Sequence, residues 1–116
     1  MHESYTFACE RFYLTVIELT WDGDRKHKLH GAGLDHLYQI KPETQLPREL
    51  RARYRDLFNQ ISTKESVDRM TEDEVREASR EIVDLFGALC EYETPGAKQY
   101  EIHVVAPRQR LLFARS

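Results

Sequence analysis

Histidines at positions 27, 30 and 36, cysteines at 9 and 90, a run of carboxylates from Glu72 to Asp84 and four arginines between Arg48 and Arg55 are the side chains of this 116-residue chain that can do chemistry. A zinc site on one helical face wants two ligands four residues apart. His27, His30 and His36 stand three and six apart and do not supply that pair. They read as exposed histidines, and His103 as an exposed or interface residue. Cys9 and Cys90 fall on the apolar sides of two predicted helices and read as buried free thiols. No metal and no cofactor is therefore expected. Two carboxylates perform acid–base work when their surroundings split their pKa values. Glu72, Asp73, Glu74, Glu77, Glu81 and Asp84 instead alternate with Arg76 and Arg80 and read as a solvated acidic ridge that can attract a basic partner. Arg48, Arg51, Arg53 and Arg55 can grip phosphates, but no aromatic residues interleave with them on the outer face to stack on bases. The sequence has no glycine-rich phosphate loop, nucleophile elbow or Cys-x-x-Cys pair.

Arg25-Lys26-His27-Lys28-Leu29-His30 contains Arg-x4-His. This spacing resembles the ribonuclease motif of HEPN-type helical domains. The resemblance implies that His30 acts as a base or phosphate ligand and that Arg25 steadies the scissile phosphate. The alternative is a basic first turn on a solvated helix, at a mild cost because cations oppose the dipole there.

The elements that must position these groups are helices. The stretch 71–92 carries Val75, Ala78, Ile82, Leu85, Leu89 and Tyr92 at helical spacing, widened by Phe86. Thr71 with Glu74 forms a capping box. A first helix spans about Ser4 to Leu19 or Thr20, with Ser4 as N-cap. Tyr5, Ala8, Phe12, Val16 and Leu19 face inward, and Phe7, Leu14 and Ile17 broaden the stripe toward a second covered side. Gly23 ends it and Asp24 caps the next helix, about Arg25 to Tyr38. Gly31 and Gly33 inside that helix imply a close neighbouring backbone. Lys41-Pro42 stops it. Residues 41–46 read as a loop. Pro47 opens a third helix to about Ser62, with Leu50, Tyr54, Leu57 or Phe58, and Ile61 inward. Residues 62–70 read as a polar linker anchored by Val67 and Met70.

Beyond Thr94-Pro95-Gly96 the period changes to that of a strand: Tyr100, Ile102, Val104 and Ala106 alternate with Glu101, His103 and Val105. A lone strand needs a pairing partner, which is Leu111-Leu112-Phe113 in a hairpin, a second subunit, or a foreign protein. The fold class expected is mainly α, an antiparallel four-helix bundle over 4–92 with a short C-terminal β segment in the tail 94–116, all one domain.

The series Lys28-Leu29, Ala32, Leu37, Pro42-Glu43, Leu46-Pro47-Arg48-Glu49-Leu50-Arg51, Arg53-Tyr54, Leu57 and Ile61-Ser62 resembles a group of short bacterial proteins of unknown function. Phe12-Tyr13 and Ile82 to Leu89 fit the same layout. The resemblance covers about residues 8–92 and implies a helical fold, with no catalytic residues to carry over. The tail 94–116 departs from it.

Charge is segregated. Residues 1–24 carry 1 Lys or Arg against 5 Asp or Glu, residues 25–63 carry 8 against 4, residues 64–93 carry 4 against 10, and residues 94–116 carry 4 against 1. The net charge of −3 argues against a nucleic-acid partner, and alternating blocks suit folding and assembly. No apolar run reaches the ~20 residues of a membrane span, and Met1-His2-Glu3-Ser4 opens no signal peptide, so a cytoplasmic protein is expected. The function expected is a non-enzymatic protein-interaction module, a small regulator, adaptor or inhibitor, assembling as a homodimer. Its contact residues are Tyr100, Ile102, Val104, Leu111, Leu112 and Phe113. The alternatives are a HEPN-like ribonuclease using Arg25 and His30 and a nucleic-acid binder using Arg48, Arg51, Arg55 and the basic tail.

Overall fold

The computed structural model describes residues 5–93, and over them the chain is mainly α-helical. Helix α1 spans Thr6–Leu19, α2 Arg25–Asp35, α3 Pro42–Gln45, α4 Arg48–Ile61, α5 Lys64–Asp68 and α6 Glu72–Glu93, with a 3-10 turn at Leu37–Gln39. The Ser4 cap and the C-terminal strand lie outside the described residues. Tyr5 holds the N-cap position of α1 without a side-chain cap.

The local signals set most boundaries. Gly23 has φ +125°, a conformation other residues rarely adopt, and it separates α1 from α2. The Asp24 carboxylate accepts from the His27 N–H at 3.3 Å. The capping box forms in full: the Thr71 N–H donates to Glu74 Oε1 at 2.8 Å, and the Glu74 N–H donates to Thr71 Oγ1 at 3.1 Å. Each bond satisfies a backbone donor that the helix itself leaves free.

Expectations at four places need correction. The second helix does not continue to Tyr38: at His36 (φ −120°, ψ −56°) the α-helix gives way to the 3-10 turn. Tertiary contacts win there. The His36 ring is held by Glu18 at 3.0 Å, Leu37 is fully buried, and the Tyr54 hydroxyl donates to the Leu37 carbonyl at 2.6 Å. Next, the loop 41–46 contains the single turn α3, closed by the Lys41 N–H donating to Gln45 Oε1 at 2.6 Å. Lastly, the linker 62–70 contains α5, whose N-cap Thr63 accepts from the Ser66 N–H at 3.1 Å. Val67 and Met70 are buried as its anchors. Pro47 sits one place earlier than expected, as the N-cap of α4.

The core gathers Phe12 of α1, Leu29 of α2, Leu37, Leu46, Ile61 of α4, and Ile82, Leu85 and Leu89 of α6, all essentially out of water. Burial of each such side chain stabilises the fold by roughly 1.5–3 kcal/mol against leaving it exposed. Gly33 explains itself here: a Cβ on it would stand 3.2 Å from both Cδ1 and Cγ1 of Ile61, so α2 approaches α4 where it has no side chain. Helix α1 packs mainly on α6. Tyr5 meets Tyr92 edge-on at 6.1 Å, Cys9 meets Cys90, and Tyr13 meets Phe86 at 6.0 Å. Rising numbers on one helix face falling numbers on the other, so α1 and α6 run antiparallel.

Candidate functional site

The basic turn Arg25–His30 has structural tasks. Lys28 Nζ donates to the carbonyls of Leu19, at 3.3 Å, and Trp21. Lys26 Nζ donates to the Asp68 carbonyl at 2.9 Å. His30 Nδ1 lies 3.1 Å from the Ile61 carbonyl, so Nδ1 carries the proton and donates. One turn of α2 thus meets the C-terminal ends of α1, α5 and α4. Those ends present carbonyls that lack helical partners and carry the negative end of the dipole. The mild cost of cations at the N-terminus of α2 is offset by three neighbouring helix ends.

Arg25 and His30 border two adjoining depressions that share Asp24 and Lys26. His30 borders a cavity of about 90 Å³ with Asp24, Lys26, His27, Lys64, Val67 and Asp68. Arg25 borders a different, open cleft of about 400 Å³, lined also by Glu72, Val75 and Arg76. In the smaller cavity Lys64 pairs with Asp68 at 2.9 Å, and this hydrogen bond holds the Asp68 carboxyl below its usual range. Among the described residues no three His, Cys, Asp or Glu side chains gather as a metal site would require.

The arginines of α4 are largely engaged. Arg53 grips Glu81 of α6 through two bonds of 2.9 Å, which raises its own pKa. Arg55 pairs with Glu43 at 2.5 Å and holds that carboxyl below its usual range. Arg51 Nε donates to the Leu46 carbonyl at 3.0 Å. Glu81 of the acidic ridge is thus a helix-to-helix tie as well as a surface group.

The feature that stands apart is the outer face of α1. Phe7, Tyr13 and Ile17 are exposed on α1, Tyr13 by 50%, and Leu14 is half-buried; Trp21, two residues past the end of α1, is exposed by 58%. The periodicity predicts Phe7, Leu14 and Ile17 to be covered. Their neighbours cover only the opposite stripe, Ala8, Phe12 and Thr15. Phe7, Leu14 and Ile17 share one face of α1 at the three- and four-residue steps of a coiled-coil seam, with the charged Glu10 between them; Trp21 continues the seven-residue spacing in sequence, past the end of the helix. Tyr13 carries the patch onto α6 through Phe86, and Val83, one turn earlier on α6, is also exposed. The Arg11 guanidinium lies 5.3 Å from the Phe7 ring centre and rims the patch. The seven-residue spacing was visible in the sequence. Which of two apolar stripes faces the core was not.

Tyr100, Ile102, Val104, Leu111, Leu112 and Phe113 lie outside the described residues. Among the described residues no helix is long and apolar enough to cross a membrane. Comparison of the chain with protein families, curated proteins and solved structures finds no match.

Proposed function

We propose that this chain is a non-enzymatic protein-interaction module that pairs with a second copy of itself through the outer face of α1. The observation that carries the reading is the seam of Phe7, Leu14, Ile17 and Trp21, left facing water beside Tyr13. Contiguous exposed apolar surface of this kind marks interaction sites. A second copy is the occupant the pattern favours. The positions are spaced symmetrically about Leu14, so an antiparallel partner sets Phe7 of one copy toward the Trp21 end of the other and Glu10 toward Ile17, with Leu14 at the two-fold axis. The tail, with Tyr100, Ile102, Val104, Leu111, Leu112 and Phe113, is a second contact element in this reading. The helices α1, α2, α4 and α6 are read as an antiparallel four-helix bundle, and the chain as a cytoplasmic regulator, adaptor or inhibitor.

Trp21 is the sole tryptophan, so its fluorescence tests the proposal directly. Dilution of a dimer should shift the Trp21 emission to the red and open it to iodide quenching, along a binding curve. Emission that does not change with protein concentration, at a solvent-exposed wavelength throughout, would contradict pairing through this face.

The ribonuclease reading has less support, because His30 Nδ1 is committed to the Ile61 carbonyl. Cleavage of labelled RNA by the native chain and not by His30→Ala would revive it. Nucleic-acid binding through α4 would first have to break the pairs that Arg53 and Arg55 make.

A further inference from the structure

Cys9 and Cys90 are 81 residues apart in sequence, yet their sulfurs lie 3.6 Å apart where α1 crosses α6. Both are reduced thiols; Cys9 is half-buried and Cys90 is buried. A disulfide needs its sulfurs at about 2.05 Å, roughly 1.5 Å closer than this contact. The antiparallel run of Tyr5 on Tyr92 and Tyr13 on Phe86 holds the two helices in register on either side.

We propose that Cys9 and Cys90 are a modification site: they form a reversible intramolecular disulfide that ties α1 to α6. The co-reactant is a low-molecular-weight disulfide such as glutathione disulfide. The Cys9 thiolate, the more accessible, attacks one sulfur of that disulfide. The S–S bond breaks, and one glutathione leaves as thiolate and takes up a proton. The Cys90 thiolate then attacks the Cys9 sulfur of the mixed disulfide and expels the second glutathione. Two protein thiols are oxidised, and one glutathione disulfide is reduced to two thiols. The pairing is independent of how the outer face of α1 is used.

The test takes the reduced full chain, incubates it with glutathione disulfide, and follows mass and thermal unfolding. The expected product is a chain lighter by about 2 Da that resists alkylation. Its Tm should be higher by on the order of 10 °C, because the cross-link closes a long loop in the unfolded chain, and dithiothreitol should reverse the change. Cys9→Ala and Cys90→Ala should each retain a Tm near that of the reduced chain and gain at most one glutathione. Stable glutathione adducts on the native chain, disulfides between chains only, or a cross-linked chain with an unchanged or lower Tm would each overturn the proposal.

Discussion

Tyr54 shows how one side chain organises several elements. Its ring stacks on Phe58 at 5.8 Å and meets Phe12 edge-on at 6.4 Å. Its hydroxyl donates to the Leu37 carbonyl at the point where α2 has unwound. Tyr54→Phe leaves that carbonyl with the Ile40 N–H alone and should cost about 0.5–1.5 kcal/mol in urea denaturation. Burial, with a smaller contribution from the Glu43 charge, pushes the Tyr54 hydroxyl up to about 12 from an ordinary 10. The folded state therefore holds this proton more tightly than the unfolded state. The linked stability is fully present below pH 10 and is lost as pH rises toward 12, by roughly 2–3 kcal/mol at full ionisation. Tyr54→Phe should remove this component of the alkaline loss, which unfolding curves between pH 9 and 11.5 can measure. His30 is the second residue whose role reads differently in three dimensions. His30→Ala should lower stability by about 1 kcal/mol through the lost bond to Ile61, measurable as a lower urea midpoint in the absence of any RNA.

At the scale of elements, the helices were legible where their signals are local. Thr71 and Glu74, Asp24 and Gly23 act within four residues of themselves, and each does in the fold what its type and spacing predict; Pro42, expected to stop the second helix, instead opens α3. Thr71→Ala should therefore destabilise the chain by about 0.5–2 kcal/mol, seen as an earlier loss of helical circular dichroism on heating. The end of α2 was not legible, because Glu18 and Tyr54, distant in sequence, decide it. Nor was the partner of Cys9, or the meeting of Lys26, Lys28 and His30 with three different helix ends. Helical periodicity assigns a face to a residue but not a direction to the face, and that is why Phe7 and Ile17 were expected under cover and stand in water. Gly33 sits between these cases: its cost predicts close packing, and the neighbour that enforces it is Ile61. Gly33→Ala gains helix propensity of about 1 kcal/mol but drives a methyl into Ile61, at about 1–3 kcal/mol. Net destabilisation is expected, and in an Ile61→Val background the same change should cost less. A double-mutant cycle that shows no coupling would contradict the packing described.

For the molecule as a whole, charge and apolar surface divide the tasks. The basic segment 25–63 spends much of its charge inside the fold: Lys26 and Lys28 on helix ends, Arg53 and Arg55 on Glu81 and Glu43. That accounting leaves the acidic ridge on α6 and the apolar seam on α1 as the most distinctive surfaces among the described residues. A seam of this kind in water is an association hazard unless a partner covers it, and a second copy presents the matching pattern. The most direct test is solution mass by light scattering on a sizing column, comparing the full chain with Ile17→Glu, a change at a position already exposed and so mild for the fold. The native chain should elute with twice its 13.7 kDa mass, and Ile17→Glu as a monomer of unchanged helicity. A native monomer, or an Ile17→Glu chain that remains dimeric, would contradict pairing through this seam.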